Sequence, residues 1–243
     1  AALAGSPAIN KNSTWAIYEN PASIVKLSGT SLSIGHTRLY GYSWLPFYLG
    51  VVNFSVPVVG QISVGSISLE TKNGDVKLSS ESVLSFGKGF QLQKDANSSL
   101  SIGLTSNYVI FSQGKSAGSN GDGSNGIELG NTSAISVDVG AIGTLRNRYF
   151  FSVMLKNLSA SSIGKGLSSQ LLPQHFNAGI TYSPQQELAT TVMVEKLLGL
   201  ETIIIKGSVD YKLNAILNLH IGAQANPNRF GSGFSFNVID QKF

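Results

Sequence analysis

Apolar residues alternate with small or polar ones through most of this chain, and a period of two belongs to β-strands. In residues 187–195, Leu188, Thr190, Val192 and Val194 fall on one face, and Ala189, Thr191, Met193 and Glu195 on the other. Further on, Ile203, Ile205, Val209 and Tyr211 oppose Thr202, Lys206, Ser208 and Asp210. Leu217, Leu219, Ile221 and Ala223 then oppose Asn218, His220, Gly222 and Gln224. Residues 176–182 and 133–143 repeat the pattern. Such a face belongs either inside a soluble sandwich or outside a lipid-embedded barrel, and periodicity does not choose between them. Charge does. Only 12% of the chain is Asp, Glu, Lys or Arg, whereas a soluble surface carries about 25–35%. The barrel is therefore the favoured reading.

Other classes are excluded more simply. A chain of 243 residues, 42% hydrophobic with net charge +4, does not have the composition of a disordered protein. The absence of cysteine excludes a disulfide scaffold and a cysteine-based metal site. It does not assign a compartment. The sequence pI is about 9.2, but the basic residues are scattered, so nucleic acid is not an expected partner. No apolar run approaches the ~18–20 residues of a spanning helix; Ile203-Ile204-Ile205 lies in one of the longest. The opening Ala1-Ala2-Leu3-Ala4-Gly5 has no signal-peptide pattern and reads as a mature or trimmed end.

Alternation and turn chemistry predict about twelve strands, near 29–41, 46–57, 60–72, 76–92, 98–113, 132–146, 148–158, 175–183, 187–197, 201–213, 214–225 and 230–240. Asn73-Gly74-Asp75, Ser183-Pro184 and Asn226-Pro227-Asn228 mark turns between them. Residues 114–130 and 159–172 read as long loops, which lie on the extracellular side of bacterial barrels. Residues 1–27 differ: small and apolar at first, then a helix-and-turn unit in which Pro21 stops a helix at Asn20.

Several strings resemble the FadL-like outer-membrane barrels, and among them the PorV/PorQ group associated with type IX secretion. Trp15-Ala16-Ile17-Tyr18-Glu19-Asn20-Pro21-Ala22-Ser23 resembles the Asn-Pro-Ala segment near their N-terminus. Asn157-Leu158, a polar loop, Leu172-Pro173, Gly179 and Tyr182 follow a PorV-like order. Gly207-Ser208-Val209-Asp210-Tyr211, Leu219-His220-Ile221-Gly222 and residues 231–236 resemble three later strands. His220 stands where that group commonly has Arg. The resemblance implies a bacterial outer-membrane protein that passes hydrophobic molecules or partners in protein export and surface attachment. It also implies up to fourteen strands, with Phe243 a candidate terminal aromatic residue.

The candidate functional residues are few. Asn20, Pro21 and Ala22 are candidates for a plug or gate, although Asn-Pro is also a common turn former. Lys88, Glu195, Lys206, Asp210 and His220 are candidates for the lumen, where ionisable groups are functional by default or simply solvated. The loop at Asn120-Gly121-Asp122-Gly123 lacks the glycine at position six and the glutamate at position twelve of a calcium loop, where Asn125 and Asn131 stand. His36, His175 and His220 have no metal-ligand spacing. There is no Gly-x-Ser-x-Gly elbow, and Gly87-Lys88-Gly89 and Gly164-Lys165-Gly166 are too short for a phosphate loop. Five Asn-x-Ser/Thr sequons, at Asn12, Asn53, Asn97, Asn131 and Asn157, are expected by chance in so Asn- and Ser-rich a chain.

The expectation is an all-β antiparallel transmembrane barrel of about 12–14 strands over residues 28–243, with a plug-like segment over 1–27. Its partners are outer-membrane lipid and either a protein of an export complex or a hydrophobic small molecule, with no cofactor, metal or enzymatic activity. The alternative is a soluble or filamentous all-β surface-assembly protein. Aromatic residues at strand ends separate the two, with Tyr149, Phe150 and Phe151 at one strand start and Phe230, Phe234 and Phe236 near the last strand.

Overall fold

The structure is a computed structural model. It describes residue 9 and residues 13–74, 76–116, 118–121, 125–163 and 169–236. Most of segment 1–12, Asp122 in the loop, Gly164-Lys165-Gly166 and Phe243 lie outside the described residues.

A short helix α1 (Ala16–Glu19) and a 3₁₀ helix (Pro21–Lys26) precede β1 (Ser31–Arg38), β2 (Pro46–Val56), β3 (Gly60–Asn73), β4 (Val76–Lys94) and β5 (Ser99–Lys115). Next come β6 (Glu128–Leu145), β7 (Tyr149–Lys156) and a two-residue ladder of β8 (Ser162–Ile163) with β9 (Gln170–Leu171). The chain continues through β10 (His175–Gln185), β11 (Leu188–Leu197), β12 (Ile203–Lys212), β13 (Leu217–Ala225) and β14 (Arg229–Phe236). Among the described residues, every strand but β8 and β9 joins one twelve-stranded sheet in chain order, with each neighbouring pair antiparallel. The small ladder inside the 157–174 connection is the one addition to the expected strands.

The two faces decide between lipid and water. Ser85, Thr105, Asn107, Ser136, Asp138, Ser152, Thr181, Thr191, Ser208 and Asp210 are buried, while Leu84, Phe86, Leu104, Tyr108, Ile135, Phe151, Ile180, Val192, Ile205 and Ile221 are exposed. This inverts a soluble protein, and so broad an exposed apolar surface needs a non-aqueous neighbour. Polar inside and apolar outside is the arrangement of a transmembrane barrel. Aromatic pairs stand at both ends of it. Tyr42 stacks on Trp44 with centroids 5.1 Å apart, and Tyr149 stacks on Tyr182 at 5.0 Å. Phe150 departs from the expected girdle: it faces inward, beneath the Lys26 ammonium 5.7 Å from its ring.

Antiparallel order sends the short connections 95–98, 146–148, 186–187 and 213–216 to one end, and 116–127 and 157–174 to the other. By the loop-length rule the first end is periplasmic and the second extracellular. Strands β4, β5 and β6 have 19, 17 and 18 residues. A bilayer needs ~9–11, so these three rise beyond the hydrocarbon at the long-loop end.

Candidate functional site

The candidate site is the lumen and the N-terminal segment packed inside it. Asn20 ends α1 and begins the 3₁₀ helix. Its Oδ1 accepts from Ala22 N–H at 2.9 Å, an Asx turn that Pro21 reinforces by its fixed φ. Its Nδ2 donates to Ser152 Oγ at 2.8 Å, Val153 O at 3.1 Å and Ala141 O at 3.2 Å. One amide thus ties the segment to both β6 and β7. Lys156 Nζ donates to Tyr18 O at 2.8 Å, placing a cation where helix carbonyls lack partners. The Tyr18 hydroxyl donates to Gly50 O at 3.0 Å. Burial pushes the phenol up to about 12, so it remains a donor at physiological pH. Ala16, Ile17, Ile24 and Val51 form a small apolar core around this anchor.

The wall opposite is made of glycine. Gly89 pairs with Gly103, and Gly103 with Gly140, in one cross-strand row over β4, β5 and β6. A Cβ built on Gly103 would lie 2.2 Å from Ala22 N, one on Gly140 2.0 Å from Asn20 Oδ1, and one on Gly89 2.7 Å from Val25 N. Gly87 and Gly65 extend the seat toward Ile17 and Tyr18. Asn20, Pro21 and Ala22, the plug candidates, therefore touch the lumen wall without any intervening side chain.

Asn20→Asp is expected to be worse than Asn20→Ala. The carboxylate keeps the acceptor for Ala22 but loses both donors and faces two carbonyls. Leaving such groups unpaired costs about 1–3 kcal/mol, more for a charge. Thermal unfolding of the detergent-solubilised barrel checks this; equal losses in both variants would mean that the amide donors do not hold the segment.

The lumen candidates separate into inward and outward groups. Glu195 and Lys206 face inward and form an ion pair, with His175 Nδ1 3.5 Å from the other Glu195 oxygen. Asp210 and His220 also face inward and meet at 2.6 Å. Lys88 corrects the expectation. It pairs with Ile62 and Leu104 on the outer face, and its ammonium lies 4.8 Å from the Phe90 ring. The neighbouring Gly87 takes the inward position, so strand parity turns Lys88 to the outer face.

Two features carried no local sequence signal. One is a polar chain across the wall: Ser85 Oγ donates to Asn107 Oδ1 at 2.6 Å, Asn107 Nδ2 to Asp138 Oδ2 at 2.9 Å, and Asn157 N to Asp138 Oδ1 at 2.7 Å. Asn157, at φ 54°, also donates to Leu172 O at 2.6 Å and so closes the 157–174 loop. The other is a cavity of about 250 Å³ at the long-loop end, lined by Val109, Phe111, Ile163, Leu171, Leu172 and Pro173 with Glu81 and Gln170. Among the described residues no cluster of metal-ligating side chains is present.

No protein-family model matches the sequence, and no curated protein matches it. Solved structures do. The toluene transporter TbuX of Ralstonia pickettii superposes with a TM-score of 0.60 at 10% identity, over 98% of this chain and 88% of that one. A FadL homologue of Pseudomonas aeruginosa gives 0.52 at 10% identity, over 94% and 78%. At such identity the likeness is one of fold. Polar lumen and apolar exterior, with these superpositions, give this chain the fold of an outer-membrane β-barrel, the one shared with TbuX and the FadL homologue.

Proposed function

We propose that this chain passes small hydrophobic molecules across the bacterial outer membrane, with residues 16–26 as the plug of its lumen. The apolar cavity at the long-loop end carries the reading. It lies toward the extracellular side, between the inner faces of β4 and β5 and the described residues Ile163 and Gln170 to Pro173, above a lumen obstructed by the seated segment. An apolar molecule leaving water finds a concave apolar site there. The fold shared with a toluene transporter supports the same substrate class.

The test is uptake of toluene and of a fatty acid into vesicles carrying the purified barrel. Uptake above that of empty vesicles is expected, with affinity reduced about tenfold by Phe111→Ser, which removes apolar contact from the cavity. Uptake no faster than in empty vesicles would overturn the reading. If a large surface protein then copurified from native membranes, the export and attachment role that the PorV-like strings imply would take its place.

A further inference from the structure

Three inward-facing side chains on β12, β13 and β14 form a relay that the passage of molecules does not use. His220 Nδ1 lies 2.6 Å from Asp210 Oδ1, and His220 Nε2 lies 2.9 Å from Ser235 Oγ. A carboxylate only accepts, so Nδ1 carries the proton and Nε2 is left to accept from the Ser235 hydroxyl. That is the hydrogen-bond order of a nucleophile, its base and the group that orients the base. Asp210 is 2% exposed. Asn218, directly opposite Ser235 in the ladder, donates its amide to Ser235 Oγ at 3.3 Å. The next inward positions beyond His220 and Ser235 are Gly222, Gly233 and Gly231. The trio lies at the short-turn, water-facing end of the lumen.

We propose that Ser235, His220 and Asp210 form a hydrolytic site for carboxylic esters. Ser235 Oγ attacks the ester carbonyl carbon while its proton passes to His220 Nε2. The Asn218 amide, donating to Ser235 Oγ, holds the hydroxyl in place beside His220 Nε2. The carbon–oxygen bond to the alcohol breaks, and the alcohol leaves with the proton from His220. Water then attacks the acyl-serine, again giving a proton to His220. The acid departs, and Ser235 recovers the proton. Ser235 and His220 are the catalytic residues, and Asp210 is a positioning residue. The expectation of no enzymatic activity rested on local motifs, and these residues are 25 positions apart in sequence, from Asp210 to Ser235. They meet only through strand register.

The full chain, folded in detergent as judged by a heat-modifiable band, is treated with a fluorophosphonate probe and, separately, with p-nitrophenyl butyrate. A single adduct on Ser235 is expected. Ser235→Ala removes it, and His220→Ala slows labelling and ester cleavage about 10²-fold or more. Asp210→Asn shifts the pH profile of labelling, which a merely structural carboxylate would leave in place. Should histidine variants fail to fold, Ser235→Cys supplies a second readout in a chain without other thiols: its alkylation is expected to exceed that of Ser232→Cys on the outer face. No adduct on the folded wild-type barrel, an adduct undiminished in Ser235→Ala, or equal alkylation of the two cysteines would overturn the proposal. None of these outcomes bears on uptake of hydrophobic molecules.

Discussion

A cysteine placed at Ser23 is expected to resist maleimide in an otherwise unchanged chain and to react readily once Gly103 is replaced by valine. The chain has no cysteine of its own, so one thiol reports without background. Ser23 is buried against the lumen wall, and its hydroxyl donates to Asn20 O at 2.7 Å. Gly103 is the middle of the glycine row, and the atoms a Cβ would strike are Ala22 N and the Pro21 carbonyl group, at 2.2–2.4 Å. These are backbone atoms of a segment fixed at both ends of Asn20. No flexible side chain can turn aside to make room. Overpacking of this kind costs about 1–3 kcal/mol where the surroundings yield. Here the segment must leave its seat, giving up the Asn20 and Lys156 hydrogen bonds with it. The barrel ladder does not depend on those bonds, so the heat-modifiable band should persist. Gly143→Ala is the control, because nothing lies within 4 Å of a Cβ there. A thiol still protected in Gly103→Val would show that the segment is not held by the glycine row, and the plug reading would fall with it.

The strands were legible because lipid and a wet lumen impose opposite demands on successive residues. The alternation in residues 187–197 and 201–213 gave the bounds of β11 and β12 to within two residues. Which face met water was legible only as a deficit of charge, since Leu188 and Val192 read the same in a sandwich. The seat was not legible. Gly89, Gly103 and Gly140 look like ordinary strand glycines until register aligns them beneath Asn20. Lys88 misled for a local reason: a charge in an alternating strand reads as inward, and only the glycines on either side occupy the inward positions. Asp210 and His220 were legible as lumen residues, whereas Ser235 was not singled out. Its role depends on a pairing of β13 with β14 that no short window contains.

Leu104→Arg is expected to destabilise the chain by about 2–4 kcal/mol in a phospholipid bilayer, the cost of a guanidinium at the midplane of a barrel's lipid face. Leu104 is 45% exposed and is the sixth residue of β5 from the short-turn end, which the ~9–11 residues of a spanning strand put near the hydrocarbon midplane. Its cross-strand partners are Lys88 and Val139. The added charge therefore meets the Lys88 cation on the neighbouring strand, and repulsion adds to the desolvation cost. A soluble sandwich predicts the opposite sign of inference, because an arginine at a half-exposed surface leucine changes stability by less than about 0.5 kcal/mol and improves solubility. The measurement is denaturant titration of the barrel folded into phosphatidylcholine vesicles, reading the fraction of heat-modifiable band. Ser106→Arg, one position further along the same outer face, moves the charge away from the short-turn end and should also be costly. A lumen substitution such as Met193→Arg should cost less, since that position faces the polar lumen beside the Glu195 carboxylate rather than lipid. If Leu104→Arg folded as well as the parent chain and remained in solution without detergent, the apolar exterior would have another partner than lipid. The surface-assembly alternative would then account for it, with neighbouring copies covering the leucine, isoleucine and phenylalanine face.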